Sequence, residues 1–315
     1  MNLHVRLLQE KDLPRADRIF RLAFGTFQGV PDPERFGGDI DKIRSRWLAD
    51  PACAFGVEAD GVLVGSNFVT HWGSVGYFGP LTVHPDFWNR GIAQKLLEPT
   101  LALFEAWGCR HTGLYTYSYS PKHLTLYQKF GFWPRFLTAI MALRVRPSES
   151  AAAGEVTLFS AAEAGVRPGL VQAAAGLTDA IYPGLDVRRE IQAIEAQKLG
   201  DTLLLWDEGA LAGFAAVHCG PNTEAGSHTC FIKFGAVRPG PQEGRHFARL
   251  LRACEAMAAA QGARHLIAGT SLAREAAYRQ MRDRGFRAEI LGVCMHRPNE
   301  PGYHRPDALV IDDWR

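Results

Sequence analysis

Along the first 146 residues the hydrophobic pattern changes period several times. Apolar positions alternate with polar ones over 3–8, as on a strand with one buried face. From the capping residue Asp12 to Phe24 they fall three and four apart, the spacing of an amphipathic helix, with Pro14 tolerated in its first turn. A loop rich in Gly and Pro over 29–38 leads to a second helix over 40–48. Strand patterning returns on both sides of Asp60-Gly61, which predicts a hairpin of strands 53–59 and 62–70. A strand running into Val83, a helix over 91–107, a strand over 112–119, a helix over 121–129 and a strand over 137–145 complete the series.

After 147–154, a stretch of linker composition, the pattern starts again. A strand over 156–159 is followed by a hairpin of 203–206 and 211–217 around Glu208-Gly209. Val237-Arg238-Pro239 then ends a strand as Val83-His84-Pro85 does, and Gly285-Phe286 follows a helix as Gly131-Phe132 does. Both pairs of landmarks stand 154 residues apart (237 − 83 and 285 − 131), which marks an internal duplication. The expected organisation is a first domain over 1–146, a linker over 147–154, a second domain over 155–297 and an extended tail over 298–315.

Candidate chemistry concentrates where the strand into Val83 meets the helix beginning near Gly91. A glycine at that junction lets backbone N–H groups approach a ligand with no side chain in the way. The first helical turn adds unpaired donors and the positive end of the helix dipole, a ready site for phosphate. Further on, Tyr127-Gln128-Lys129-Phe130-Gly131-Phe132 reads as a helix end, with Gly131 as the left-handed residue past it.

In this order and spacing, Val83-His84-Pro85, Trp88-Asn89-Arg90-Gly91-Ile92-Ala93 and Tyr127 to Phe132 resemble the GNAT superfamily of acetyl-CoA-dependent acyltransferases. That family carries a V-x-P strand end, a Q/R-x-x-G-x-G/A loop and a later Y-x-x-x-G-F. The resemblance covers about residues 3–145, with Trp88 in place of Gln or Arg and Ser120 where an Asn is common. It implies an α+β fold of two tandem GNAT-like domains, each a mixed, mostly antiparallel twisted sheet flanked by helices. It also implies acetyl-CoA as cofactor, with coenzyme A as product. The N–H groups of Asn89, Arg90, Gly91, Ile92, Ala93 and Gln94 would hold its pyrophosphate, with charge from Arg90 and Lys95. Leu81, Thr82 and Val83 would pair with the pantetheine arm, an N–H near Leu81 would polarise the thioester, and Trp88 and Ser120 would complete the site. Tyr127 would be the general acid for the leaving thiolate.

The general base stays open among His71, His84 and an ordered water, because 74–83 holds no carboxylate. Tyr115, Tyr117 and Tyr119 share one strand face and either line an acceptor pocket or pack. The loop over 27–38 carries Asp32, Glu34 and Arg35, which would suit a cationic amine or simply be solvated. The proline-rich tail ends in Trp314-Arg315 and either docks or hangs free.

Composition narrows the classes. With 315 residues, 47% of them hydrophobic, the chain can bury two cores. A formal charge of +2 gives no case for nucleic acid, and no apolar run reaches the roughly 20 residues of a membrane span. The six cysteines show no C-x-x-C pair and read as buried residues of a cytoplasmic protein, with no metal site.

In the second copy Gly91 corresponds to Arg245, Ala93 to Phe247 and Tyr127 to Met281, so that copy looks degenerate. The expected activity is therefore an N-acetyltransferase acting on a small-molecule primary amine by direct transfer, as a monomer or homodimer. A protein or peptide N-acetyltransferase and a non-catalytic acyl-CoA sensor are the alternatives. All cofactor residues precede the linker, so the segment 1–146 is expected to bind acetyl-CoA unaided.

Overall fold

A computed structural model describes residues 1–146 and 156–315; the expected linker over 147–154 lies outside them. The first half runs β1 (Leu3–Leu7), α1 (Leu13–Gln28), α2 (Ile43–Ala49), β2 (Ala54–Ala59), β3 (Val62–Trp72), β4 (Val75–Phe78), β5 (Thr82–Val83), α3 (Ile92–Ala106), β6 (His111–Tyr117), α4 (Pro121–Gln128) and β7 (Trp133–Arg144). The second repeats the order with β8 (Val156–Leu158), α5 (Arg167–Ile181), α6 (Arg188–Gln197), β9 (Gly200–Asp207), β10 (Ala210–Gly220), β11 (Gly226–Val237), α7 (Glu243–Ala260), β12 (His265–Ser271), α8 (Glu275–Arg284) and β13 (Arg287–Arg297). A last short strand, β14 (Val310–Ile311), belongs to the tail. β6 and β12 start 154 residues apart, and so do β7 and β13, in step with the sequence landmarks.

Local chemistry accounts for the turns. Asp60 and Gly61 both take positive φ, 50° and 82°, the geometry that lets a two-residue loop follow the twist of β2 and β3. Gly131 and Gly285, at φ 81° and 112°, end the helices α4 and α8 in the two halves. The mixed sheet is antiparallel except where β4 pairs with β6 and β11 with β12.

One sheet passes through both halves in the order β1-β2-β3-β4-β6-β13-β7-β12-β11-β10-β9-β8. The halves exchange their last strands. β13 pairs with β6 of the first half, and β7 pairs with β12 of the second, while β7 and β13 pair with each other at the centre. The boundary expected between 1–146 and 155–297 therefore separates the halves in sequence and not in the sheet. A segment ending at residue 146 would leave β6 without its neighbour β13, which removes the basis for expecting 1–146 to work unaided.

The cores are shared in the same way. One apolar cluster joins Trp72, Tyr77 and Phe159 to Phe214, Phe234, Cys294, Tyr303 and Trp314, residues of both halves and of the tail. The tail is docked, not loose: Tyr303, Val310 and Ile311 are fully buried and Trp314 is 2% exposed. Burying each large apolar side chain of this kind stabilises the fold by about 1.5–3 kcal/mol. Arg274 and Asp312 form a fully buried ion pair at 3.1 Å, and the Tyr303 hydroxyl donates to Asp312 at 2.8 Å. Between the halves, Arg46 of α2 makes a two-pronged contact with Glu224 at 2.9 and 2.8 Å, and Glu224 also accepts from Lys233 at 2.9 Å.

Candidate active site

The cleft begins where one strand gives way. β4 runs parallel to β6 from Val75 opposite His111 to Phe78 opposite Leu114. Gly79 (φ 144°) and Pro80, which has no N–H to offer a ladder, break the strand there. The chain then turns to pair Thr82 and Val83 with Ser66 and Gly65 of β3, leaving β6 behind. The resulting wedge opens into a cleft of about 890 Å³ that Leu81, Thr82 and Val83 line on one side and Tyr115, Thr116 and Tyr117 on the other. The Leu81 N–H meets no acceptor among the described residues, so a donor is left at the mouth of the wedge.

At one end lies the loop before α3. Asn89 and Gly91 both hold positive φ, 62° and 76°, and a Cβ built on Gly91 would meet nothing within 4 Å. The N–H groups of Asn89, Arg90, Gly91, Ile92 and Ala93 find no acceptor among the described residues, whereas those of Gln94 and Lys95 return to the Gly91 carbonyl. Five free donors at the positive end of a 15-residue helix form a concave anion cradle. Asn89, Gly91, Ile92, Ala93 and Gln94 line the cleft; Arg90 and Lys95 do not. Arg90 sits over the Phe87 ring and Lys95 pairs with Glu98 at 3.0 Å, both at the surface. Four other cations line the cleft: Lys122 in the first turn of α4, Lys129 just past its last, Lys42 and Arg315. Trp88 donates its indole N–H to the Val83 carbonyl at 2.7 Å, and Lys122 lies over its ring, so this residue ties the strand end to the loop.

Tyr127 is buried on α4, faces the cleft and packs edge-on against Phe78, with its phenol pushed up by burial and so kept protonated. Ser120 is not on the cleft. Its hydroxyl accepts the His123 N–H and caps α4, because a Ser before Pro121 serves the helix start. Neither proposed histidine reaches the site. His71 stacks on Trp107 and bonds the Gly73 carbonyl at 2.9 Å, and His84 bonds the Asp86 N–H at the strand end. The imidazole that does line the cleft is His123, one turn before Tyr127 on the same helix face. Burial, then Lys122, hold its pKa below the ordinary value, and its Nδ1 has no partner among the described residues.

The other end is an aromatic box. Phe24 stacks on Phe36 at 5.7 Å and Phe27 on Tyr117 at 5.2 Å, while Gln28 donates to the Tyr117 hydroxyl. Burial pushes the Tyr117 phenol up to about 12. Of the tyrosine stripe, Tyr115 and Tyr117 line the cleft and Tyr119 stays outside, 63% exposed. Gly292 on β13 makes room for Tyr115; a Cβ there would stand 2.2 Å from its ring. Asp32 and Glu34 turn outward to Arg35 and Arg18 and contribute nothing to the wall. Ile290, Trp314 and Arg315, all from the second half and tail, close it.

The sequence of the first half has a counterpart among known proteins. Residues 16–132 match the profile of the acetyltransferase (GNAT) family. This part of the chain is a GNAT domain. No curated protein matches the sequence. The fold is similar to a putative acetyltransferase from Pyrococcus horikoshii, with 16% identity, TM-score 0.70 and coverage of 99% of this chain and 95% of that one. A GCN5-related N-acetyltransferase from Sphaerobacter thermophilus aligns with 17% identity, TM-score 0.60 and coverage of 94% and 95%. A probable N-acyltransferase from Enterococcus faecalis aligns with 13% identity, TM-score 0.52 and coverage of 94% and 73%.

The GNAT signature sits in the first half, yet the sequence could not show what closes that half's cleft. His123 was open to a helix-face argument, since it stands four residues before Tyr127 and so shares its face. The contributions of Lys42, Ile290 and Trp314 depend on long-range packing and leave no local signal.

Proposed function

We propose that this GNAT protein transfers an acetyl group from acetyl-CoA to the primary amine of a small molecule, within the first-half cleft. The observation that carries the reading is the pairing of the free N–H cradle over Asn89 to Ala93 with a wedge that ends at Tyr127. Acetyl-CoA would supply the acyl group as an activated thioester. The cradle, Lys122 and Lys129 suit its phosphates, and the edge at Leu81, Thr82 and Val83 suits an extended amide-bearing arm. The Leu81 N–H, left without an acceptor among the described residues, would polarise the thioester carbonyl. Tyr127 holds a proton on its phenol oxygen for a departing sulfur, and neutral His123 can take the proton that the amine nitrogen releases. The aromatic box offers the apolar wall that the body of a small acceptor would need.

Coenzyme A release with a panel of amines tests the reaction, and Tyr127→Phe tests the assignment. Turnover should fall by about 100- to 10,000-fold while the acetyl-CoA dissociation constant stays nearly unchanged. Turnover within a factor of about three of wild type, with chemistry rate-limiting, would make Tyr127 a packing residue.

A further inference from the structure

The charge on the cleft wall is one-sided. Lys42, Lys122, Lys129 and Arg315 line it, and no Asp or Glu does among the described residues. Lys122 and Lys129 belong to the end with the N–H cradle, where an anionic cofactor would neutralise them. Lys42 and Arg315 belong to the aromatic end, where Arg46 donates to both the Gly79 and the Arg315 carbonyls. No cofactor phosphate is expected there.

Behind this wall most charges are engaged with one another. Arg46 and Lys233 share the single carboxylate of Glu224, and Arg315 pairs with Asp313 at 3.0 Å while lying over the Phe231 ring. Glu190 accepts from the Trp72 indole at 2.9 Å. Lys42 makes no side-chain hydrogen bond or ion pair among the described residues. Its neighbour Asp41 accepts the Arg44 N–H and is not on the cleft. Burial, and then Arg315, push the Lys42 pKa well down, so its charge is costly until an anion arrives.

We propose that the acceptor is an amino-acid-like amine, whose carboxylate is received by Lys42 with Arg315 beside it and whose apolar body lies among Phe24, Phe27, Phe36 and Tyr117. The inference rests on the acyltransferase reading and deepens it. An amine placed beside Lys42 and Arg315, with no carboxylate on the wall among the described residues, is also biased towards its neutral, nucleophilic form, because like charge opposes an ammonium. A wall without a carboxylate suits an anionic acceptor, whereas a polyamine would find cations and no carboxylate partner on it.

Calorimetry on the full chain saturated with coenzyme A tests this with N-acetyl-L-phenylalanine and its amide, probes of one shape that differ in charge. The acid should bind at least about tenfold tighter than the amide, and Lys42→Met should remove that preference while Lys42→Arg keeps it. Equal affinities, binding of neither probe, or a preference that survives Lys42→Met would overturn the proposal. So would a Lys42→Met variant that loses turnover at saturating acceptor yet keeps the acid preference, because Lys42 would then act on a proton. Failure of the acyltransferase reading itself would show separately, as no heat from acetyl-CoA and no coenzyme A release.

Discussion

The two halves open their sheets at the same place and fill the opening differently. In the first, β4 ends at Phe78, and the gap to β6 is the cleft. In the second, β11 runs unbroken from Gly226 to Val237, pairing with β10 past a bulge near Lys233. Its parallel pairing to β12 ends at Ile232 opposite Ala268, and β14 enters there to pair Ile311 and Val310 with Gly235 and Ala236. Those two positions stand 154 residues after Leu81 and Thr82. The chain's own tail thus lies where, on the proposed reading, the first half receives an extended ligand. The helix starts differ too. α7 begins at Glu243, so the positions equivalent to the Asn89–Gly91 loop are helical, and the Glu243 carboxylate accepts the Gly240 N–H. Arg245 pairs with Asp207, and Met281, at the Tyr127 position, is fully buried. A splayed sheet evidently needs something with strand-like hydrogen bonding in the gap, and a peptide segment meets that need permanently.

The strongest way to break the comparison is to separate the halves. A segment ending at residue 146 should give no cooperative unfolding transition and no heat with acetyl-CoA, because β6 and β7 lose the strand between them. Binding as tight as that of the full chain would mean that β13 is dispensable and that the first half is self-sufficient. Next in size is a charge placed in each helix-start loop. Gly91→Glu should weaken acetyl-CoA binding by about 100-fold or more, since the left-handed backbone at φ 76° resists a side chain and the carboxylate opposes phosphate. Arg245→Glu, in the filled half, should change that affinity by less than about twofold. Equal losses in equilibrium titrations would mean that both halves bind cofactor.

A further test concerns acid and the tail that makes the halves differ. Trp314 packs among His111, His296 and His304, and His111 lies 3.1 Å from His296 in a buried contact. Burial lowers the pKa of His111 to about 4 and of His296 to about 3, against an ordinary value of 6.5. Between these values the unfolded chain binds more protons than the folded one, so stability is intact above pH 6.5 and declines as pH falls towards 4 and below. At pH 5 each histidine should cost about 2 kcal/mol relative to pH 7.5. Urea unfolding at the two pH values measures it; equal stabilities would show that the cluster takes up protons in place.

Hairpins, the Gly91 loop, the Tyr127 helix and the 154-residue offset were legible because each rests on contacts close in sequence. Strand exchange was not, since β7 and β13 carry similar patterns and nothing in either says which half it joins. The same holds for Ser120, whose capping role and distance from the cleft depend on where α4 starts. The acceptor end was left open for a different reason. Asp32 and Glu34 are conspicuous in a loop, but their arginine partners hold them at the surface, while Lys42 reaches the cleft wall only through long-range packing.

The exchanged strands also set a timetable for synthesis. When β6 leaves the ribosome its free edge has no partner until Arg287–Arg297 has been made, on the order of ten seconds or more later at bacterial-like elongation rates. During that interval the nascent chain presents an open edge strand, His111–Tyr117, with buried-type residues on both faces. Cells making this protein faster, or at higher temperature, would meet that exposed edge as a matter of folding yield, with translation speed and chaperone supply deciding how much of the chain reaches its native pairing.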